Sequence, residues 1–131
     1  MTHHARLLFT TAALFNWSVA LGLLFPPALL SQLLQLTPVE GGDLILRHIA
    51  SALIAVFGWA YWLVARDPQR WRALAVIGVI GKSLVVAPVG VHWGLGTING
   101  YWPALVMADL IYALLFLDFL RRYPLPAHAR A

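Results

Sequence analysis

The sequence contains no cysteine, which excludes disulfides, thiolate metal sites and thiol nucleophiles and leaves the redox compartment undetermined. Charge is nearly as scarce: Asp, Glu, Lys and Arg make up only 11% of the 131 residues, against ~25% in ordinary soluble domains. In their place stand 61% hydrophobic residues and a mean hydropathy of +0.78. Such a composition points to one compact unit in a membrane rather than to a soluble domain. The formal charge of +4 would by itself suggest nucleic acid as a partner. The basic residues, however, form short clusters at the ends of apolar runs, and membrane topology accounts for them with no nucleic acid.

Four runs are long enough to cross a bilayer, which takes about 20 apolar residues in a helix. They cover about residues 7–25, 44–65, 74–93 and 101–120. The expected fold is all-α, an antiparallel bundle of four transmembrane helices in a single domain spanning 1–131. A signal-peptide reading of the first run rests on the basic start and on Ser18-Val19-Ala20, which resembles a cleavage site. Against it, the apolar run continues to Phe25, and Asn16 and Trp17 fit poorly beside such a site.

The basic residues set an orientation. Arg6 precedes the first span, Arg66, Arg70 and Arg72 fill the second connection, and Arg121, Arg122 and Arg130 follow the fourth span. The connections 26–43 and 94–100 contain no Lys or Arg. The positive-inside rule therefore places both termini in the cytoplasm. Trp62, Trp71, Trp93 and Trp102 fall near span boundaries, as an aromatic belt would place them.

The connections carry their own signals. Pro26-Pro27 can start a helix, and Leu29, Leu30, Leu33 and Leu34 form an apolar face opposite Ser31, Gln32 and Gln35. A short helix lying on the outer surface is expected, broken by Thr37-Pro38 and Gly41-Gly42 before the second span. The link 66–70 is a tight turn in which Asp67 is placed to cap the helix that Pro68 begins, and so short a link makes spans two and three antiparallel neighbours. The glycine-rich link 94–100 reads as a flexible loop or a lid. Ser51, Ala52, Ala55 and Gly58 on span two and Gly78 and Gly81 on span three mark close helix approaches.

The polar groups within the spans are the main functional signal. Lys82, in the middle of the apolar stretch 76–93, costs roughly 2.5–3.5 kcal/mol to insert, so it should face protein or water and have an anionic partner. Asp109 on span four is the candidate. Counting along the helices at 1.5 Å per residue places Lys82, Asp109 and Asn16 near one depth, with Ser51 slightly above. Two readings follow: a Lys82–Asp109 salt bridge that fixes the packing, or a polar pocket in which the pair holds a ligand or moves a proton. Tyr112, three residues from Asp109, and Tyr61 can supply hydroxyls. Arg47 shares a face with Ser51 and could reach toward this layer or outward to lipid head groups.

Other polar residues have plainer readings. His48 and His92 would make half of a metal site with no convincing third ligand, so no metal is assigned. Asp118 lies on the opposite face from Asp109 and should pair with Arg121 or Arg122 by helical spacing, or with a basic residue of the inner loop. Pro88 should kink span three, since it leaves the Leu84 carbonyl without its usual donor.

The stretch 57–68 (FGWAYWLVARDP), the glycine pair before Lys82 and the last-span Asp109 together resemble small bacterial four-helix membrane proteins of the DoxX-like type. The resemblance implies a bacterial inner-membrane location and an accessory role beside a membrane oxidoreductase. No haem, quinone or iron–sulfur motif accompanies it, so no cofactor is assigned. The expected function is thus a small membrane subunit or a binder of a lipid-like molecule, with a pocket around Lys82 and Asp109 open toward the outer side. Its ligand-facing residues would be Asn16, Arg47, Ser51, Lys82, Asp109 and Tyr112. Two alternatives stand beside it. One is a membrane enzyme with Asp109 as acid or base and Lys82 or Tyr112 in support; the other is a proton-coupled carrier acting as a homodimer.

Overall fold

A computed structural model describes residues 2–125. Its elements are α1 (Thr2–Leu24), α2 (Ala28–Leu33), α3 (Gly41–Arg66), α4 (Arg72–Gly94) and α5 (Tyr101–Arg122). The described residues contain no strand, and the four long helices are each long and apolar enough to cross a membrane. The expected all-α bundle and the short helix between its first two spans are both present.

The helix ends differ from expectation in an instructive way. The Gly41-Gly42 pair does not precede α3 but forms its first turn, because Gly41 takes a left-handed φ of 56° that lets the chain swing from extended Glu40 into the helix. At the other end of α3 no helix begins at Pro68 and Asp67 caps none: its Oδ1 accepts the Arg70 N–H at 3.1 Å within the turn, and the N-cap position of α4 is Trp71, with no side-chain cap. The residues after Pro68 make a turn, and α4 proper starts at Arg72.

Two hairpins make the bundle. α1 packs along α3 and α4 along α5, whereas α3 meets α4 over a much shorter stretch and α1 meets α5 mainly through aromatic side chains that bridge more widely spaced backbones. The interior is built for close approach. Among the described residues Leu34 is the only buried leucine and no isoleucine is buried, while Ala5, Ala12, Ala13, Ala20, Ala65, Ala75 and Ala113 all are. Large aliphatic side chains such as Leu7, Leu14, Leu21, Ile80 and Leu84 point outward. Small residues inside and leucine outside is the pattern of helices whose surroundings are as apolar as their own side chains.

Two glycines show how tight the seams are. A Cβ on Gly58 would lie 2.6 Å from Trp17 Nε1, and one on Gly78 would lie 2.7 Å from Tyr61 Cε1 and 3.1 Å from Phe116 Cε2. Each glycine therefore admits an aromatic ring against a helix backbone. Ala52, expected at the same seam as Gly58, is exposed instead, because it points away from α1.

The end that carries Arg6, Arg66, Arg70, Arg72, Arg121 and Arg122, here the basic end, is closed by aromatic rings. Phe9 stacks on Phe116 with centroids 4.6 Å apart and meets Phe119 edge-on at 4.9 Å, and Tyr61 meets Phe116 edge-on at 5.0 Å. The Arg72 guanidinium donates to the Leu120 carbonyl at 3.0 Å and also to that of Tyr123, which ties α4 to the end of α5. Asp118 pairs with Arg122 at 2.8 Å on the exposed surface, one of the two pairings its spacing allowed.

The opposite end, here the α2 end, is held differently. α2 stops with Gln35 at φ 53°, and the Leu36 and Gln35 N–H groups return to the Ser31 and Gln32 carbonyls. This Schellman-type stop leaves the Leu33 and Leu34 carbonyls for outside donors. Asn99 Nδ2 takes the first at 2.7 Å and Trp102 Nε1 the second at 3.0 Å. The link 94–100, read from its glycines as flexible, is thus fastened to α2 and joins one hairpin to the other.

Candidate functional site at the centre of the bundle

The site forms where the hairpins face each other halfway along their length. Lys82 is the only lysine in the chain, and its side chain is 3% exposed. Its Nζ donates to Asp109 Oδ1 at 2.6 Å and to Asn16 Oδ1 at 3.1 Å. α4, α5 and α1 therefore meet at one ammonium group, as the depth count along the helices predicted. Three rings surround the same nitrogen, with the centroids of Phe15, Tyr61 and Tyr112 at 5.2, 5.4 and 5.4 Å. Each lies within the ~6 Å at which a ring face attracts a cation. A salt bridge, an amide oxygen and an aromatic cage together offset the cost of holding a charge away from water.

The cage is positioned by bonds from side chain to backbone. Asn16 Nδ2 donates to the Ile54 carbonyl at 3.2 Å and Trp17 Nε1 to the Ala55 carbonyl at 3.1 Å. Asn16 therefore uses one face of its amide to grip α3 and the other to receive Lys82. Ser51 Oγ donates to the Ala20 carbonyl at 2.7 Å and fixes the same seam one level toward the α2 end.

Beside the cluster lies a cavity of about 340 Å³. α1 lines it with Phe15, Asn16 and Val19, α3 with Ala50, Leu53, Ile54, Phe57 and Tyr61, α4 with Gly81, Lys82 and Val85, and α5 with Asp109. Its polar end is the Lys82–Asp109–Asn16 cluster, and the rest is apolar apart from the hydroxyl of Tyr61. From Tyr61 it runs toward the α2 end as far as Ala50, eleven residues away on α3 or roughly 16 Å along the helix axis. Leu53 and Val85 are 57% and 44% exposed, so the cavity communicates with the exterior on the side where α3 and α4 part.

The residues expected in the site divide into two groups. Lys82, Asp109 and Asn16 line the cavity; Tyr112 contributes its ring to the cage without lining the cavity. Ser51 is turned to α1, and Arg47 reaches the Thr37 carbonyl at 3.4 Å, away from the cluster. Arg47 does so because it lies a full turn farther toward the α2 end, beside the connection that follows α2. His92 is taken up by Thr97, with Nδ1 and Oγ1 2.8 Å apart. Phe15 and Phe57 were not foreseen as site residues. Their signal was position: Phe15 adjoins Asn16, and Phe57 lies four residues before Tyr61 on one face.

The arrangement leaves hydrogen-bonding capacity unused. An ammonium has three N–H groups, of which two are engaged here. Asp109 is bound through Oδ1, its side chain is 15% exposed, and its Oδ2 is not a sealed, unpartnered atom. The charged pair therefore keeps one donor and one acceptor at the polar end of the cavity, beside the hydroxyl of Tyr61. Comparison of the chain with protein-family models, curated proteins and solved structures finds no match.

Proposed function

We propose that the protein is an integral membrane protein that binds a hydrophobic molecule with one polar end, the tail lying between α3 and α4 and the polar end at Lys82 and Asp109. The observation that carries this reading is the joining of an apolar cavity to a charged pair that retains a free donor and acceptor. A pair serving packing alone has no need of an adjoining cavity. At about 340 Å³ the space is at the lower end of the ~300–1,000 Å³ typical of small-molecule sites. The exposure of Leu53 and Val85 supports access from the bilayer, where such a molecule is concentrated. Clusters of arginine at one end support an orientation with both termini in the cytoplasm. An accessory role beside a membrane oxidoreductase, implied by the DoxX-like resemblance, is compatible with a binding subunit of this kind.

Purification from native membranes followed by mass spectrometry of the retained lipids tests the reading. One lipid class should be enriched over the bulk membrane with the native protein and lost with Ile54→Trp, which fills the cavity from α3. A lipid profile equal to the bulk membrane in both proteins would refute it.

A further inference from the structure

The charges at the polar end restrict which head group fits. Lys82 and Asp109 form a neutral pair, and the rest of the cavity lining is uncharged. A carboxylate or phosphate placed there would leave a net negative charge among apolar walls, and an ammonium a net positive one; either is costly where water is excluded. The unused groups ask for something else. The third Lys82 N–H needs an acceptor and Asp109 Oδ2 needs a donor, and the two belong to partners 2.6 Å apart. One hydroxyl group offers both functions at a single oxygen.

Resting on the binding function proposed above, we infer that the ligand is an uncharged lipid-like alcohol, its hydroxyl accepting from Lys82 Nζ and donating to Asp109 Oδ2. Its hydrocarbon part runs from Tyr61 past Phe57 and Ile54 toward Leu53 and Val85. Phe57 lies on that path against Gly81, where a Cβ would stand 2.7 Å from its Cε1. The residues at Lys82 and Asp109 then act as a selector by charge balance: changing the charge of the pair should change the preferred head group.

The test uses three photoactivatable probes with one diazirine-bearing alkyl chain, ending in a hydroxyl, a carboxylate or an ammonium group. Each is added to the full-length protein in lipid nanodiscs, and crosslinks are mapped by mass spectrometry. With the native protein the alcohol should label the peptides containing Ile54 and Val85 saturably, with half-saturation at a concentration roughly tenfold or more below that of either charged probe. Asp109→Asn makes the pair net positive and should move the preference to the carboxylate. Lys82→Met makes it net negative and should move the preference to the ammonium probe.

Each outcome decides the matter. Saturable labelling of the cavity by a charged probe at least as well as by the alcohol in the native protein would overturn the alcohol assignment and leave the binding function standing. Absence of saturable cavity labelling by all three would overturn both. The ranking in the native protein stands by itself if a variant does not fold.

Discussion

The two halves of this bundle are built on opposite plans. Toward the basic end the helices converge on Phe9, Tyr61, Val64, Phe116 and Phe119, all buried. Toward the α2 end the two hairpins part: none of residues 41–50 on α3 and none of residues 83–94 on α4 is buried. There the hairpins are joined through α2, by side chains donating to single carbonyls. The Lys82 cluster lies at the boundary between the plans. One half supplies rigidity by packing, and the other leaves space that a molecule from outside can fill.

If this contrast is correct, truncation should hurt the halves unequally. Phe116→Ala should cost about 3–5 kcal/mol in reversible unfolding in mixed micelles, since the ring is buried among three others. Leu53→Ala, on the open side, should stay within about 1 kcal/mol of the native protein and weaken ligand retention instead. Equal losses would erase the distinction between the halves.

At the boundary, Lys82→Met leaves Asp109 without its cation and should cost about 3 kcal/mol. Adding Asp109→Leu should recover most of that stability, while ligand retention remains lost. Recovery of retention along with stability would mean the pair does not contact the ligand.

A single substitution type at two sites on α4 makes a finer comparison. Gly78→Ala pushes a methyl group into Tyr61 and Phe116 and should destabilise by about 1–3 kcal/mol. Gly90→Ala meets nothing within 4 Å and should be neutral or slightly stabilising, by up to about 1 kcal/mol. A modest effect is expected where Asn99 fastens the link 94–100 to α2. Asn99→Ala removes the side-chain donor that meets the Leu33 carbonyl at the end of α2 and should cost about 0.5–1.5 kcal/mol, read as amide exchange in α2 that is faster than in the native protein while that in α1 is unchanged.

The sequence made the fold legible because hydrophobic length is a strong signal. Four apolar runs with arginines at alternate ends specify four antiparallel helices and leave little choice. The Lys82–Asp109 pair was equally legible, since a charge at that depth demands a partner and only one acidic residue lay at its level. What lies outside the reach of residue counting is rotation about each helix axis. Depth placed Ser51 close to the cluster, but its hydroxyl faces α1 and the Ala20 carbonyl. Arg47 shares a helix face with Ser51, yet its length and flexibility let it turn to Thr37 instead. The cavity itself is a property of helices parting, and no residue type announces it. Gly94, Gly96 and Gly100 suggested a loose loop, whereas the bond of Asn99 to Leu33 depends on α2, which is distant in sequence.

Because Lys82 is the only lysine, protein labelled with ¹⁵N at the lysine side chain yields a single ammonium signal from the centre of the site. That signal, compared among the protein as purified, the delipidated protein and the Ile54→Trp variant, tests directly whether the cavity holds a molecule against Lys82. Occupancy of the cavity predicts that the purified protein differs from the delipidated one, that adding back the extracted lipid restores the first signal, and that Ile54→Trp does not respond to that lipid. The same signal in all three samples, with the fold intact, would contradict it.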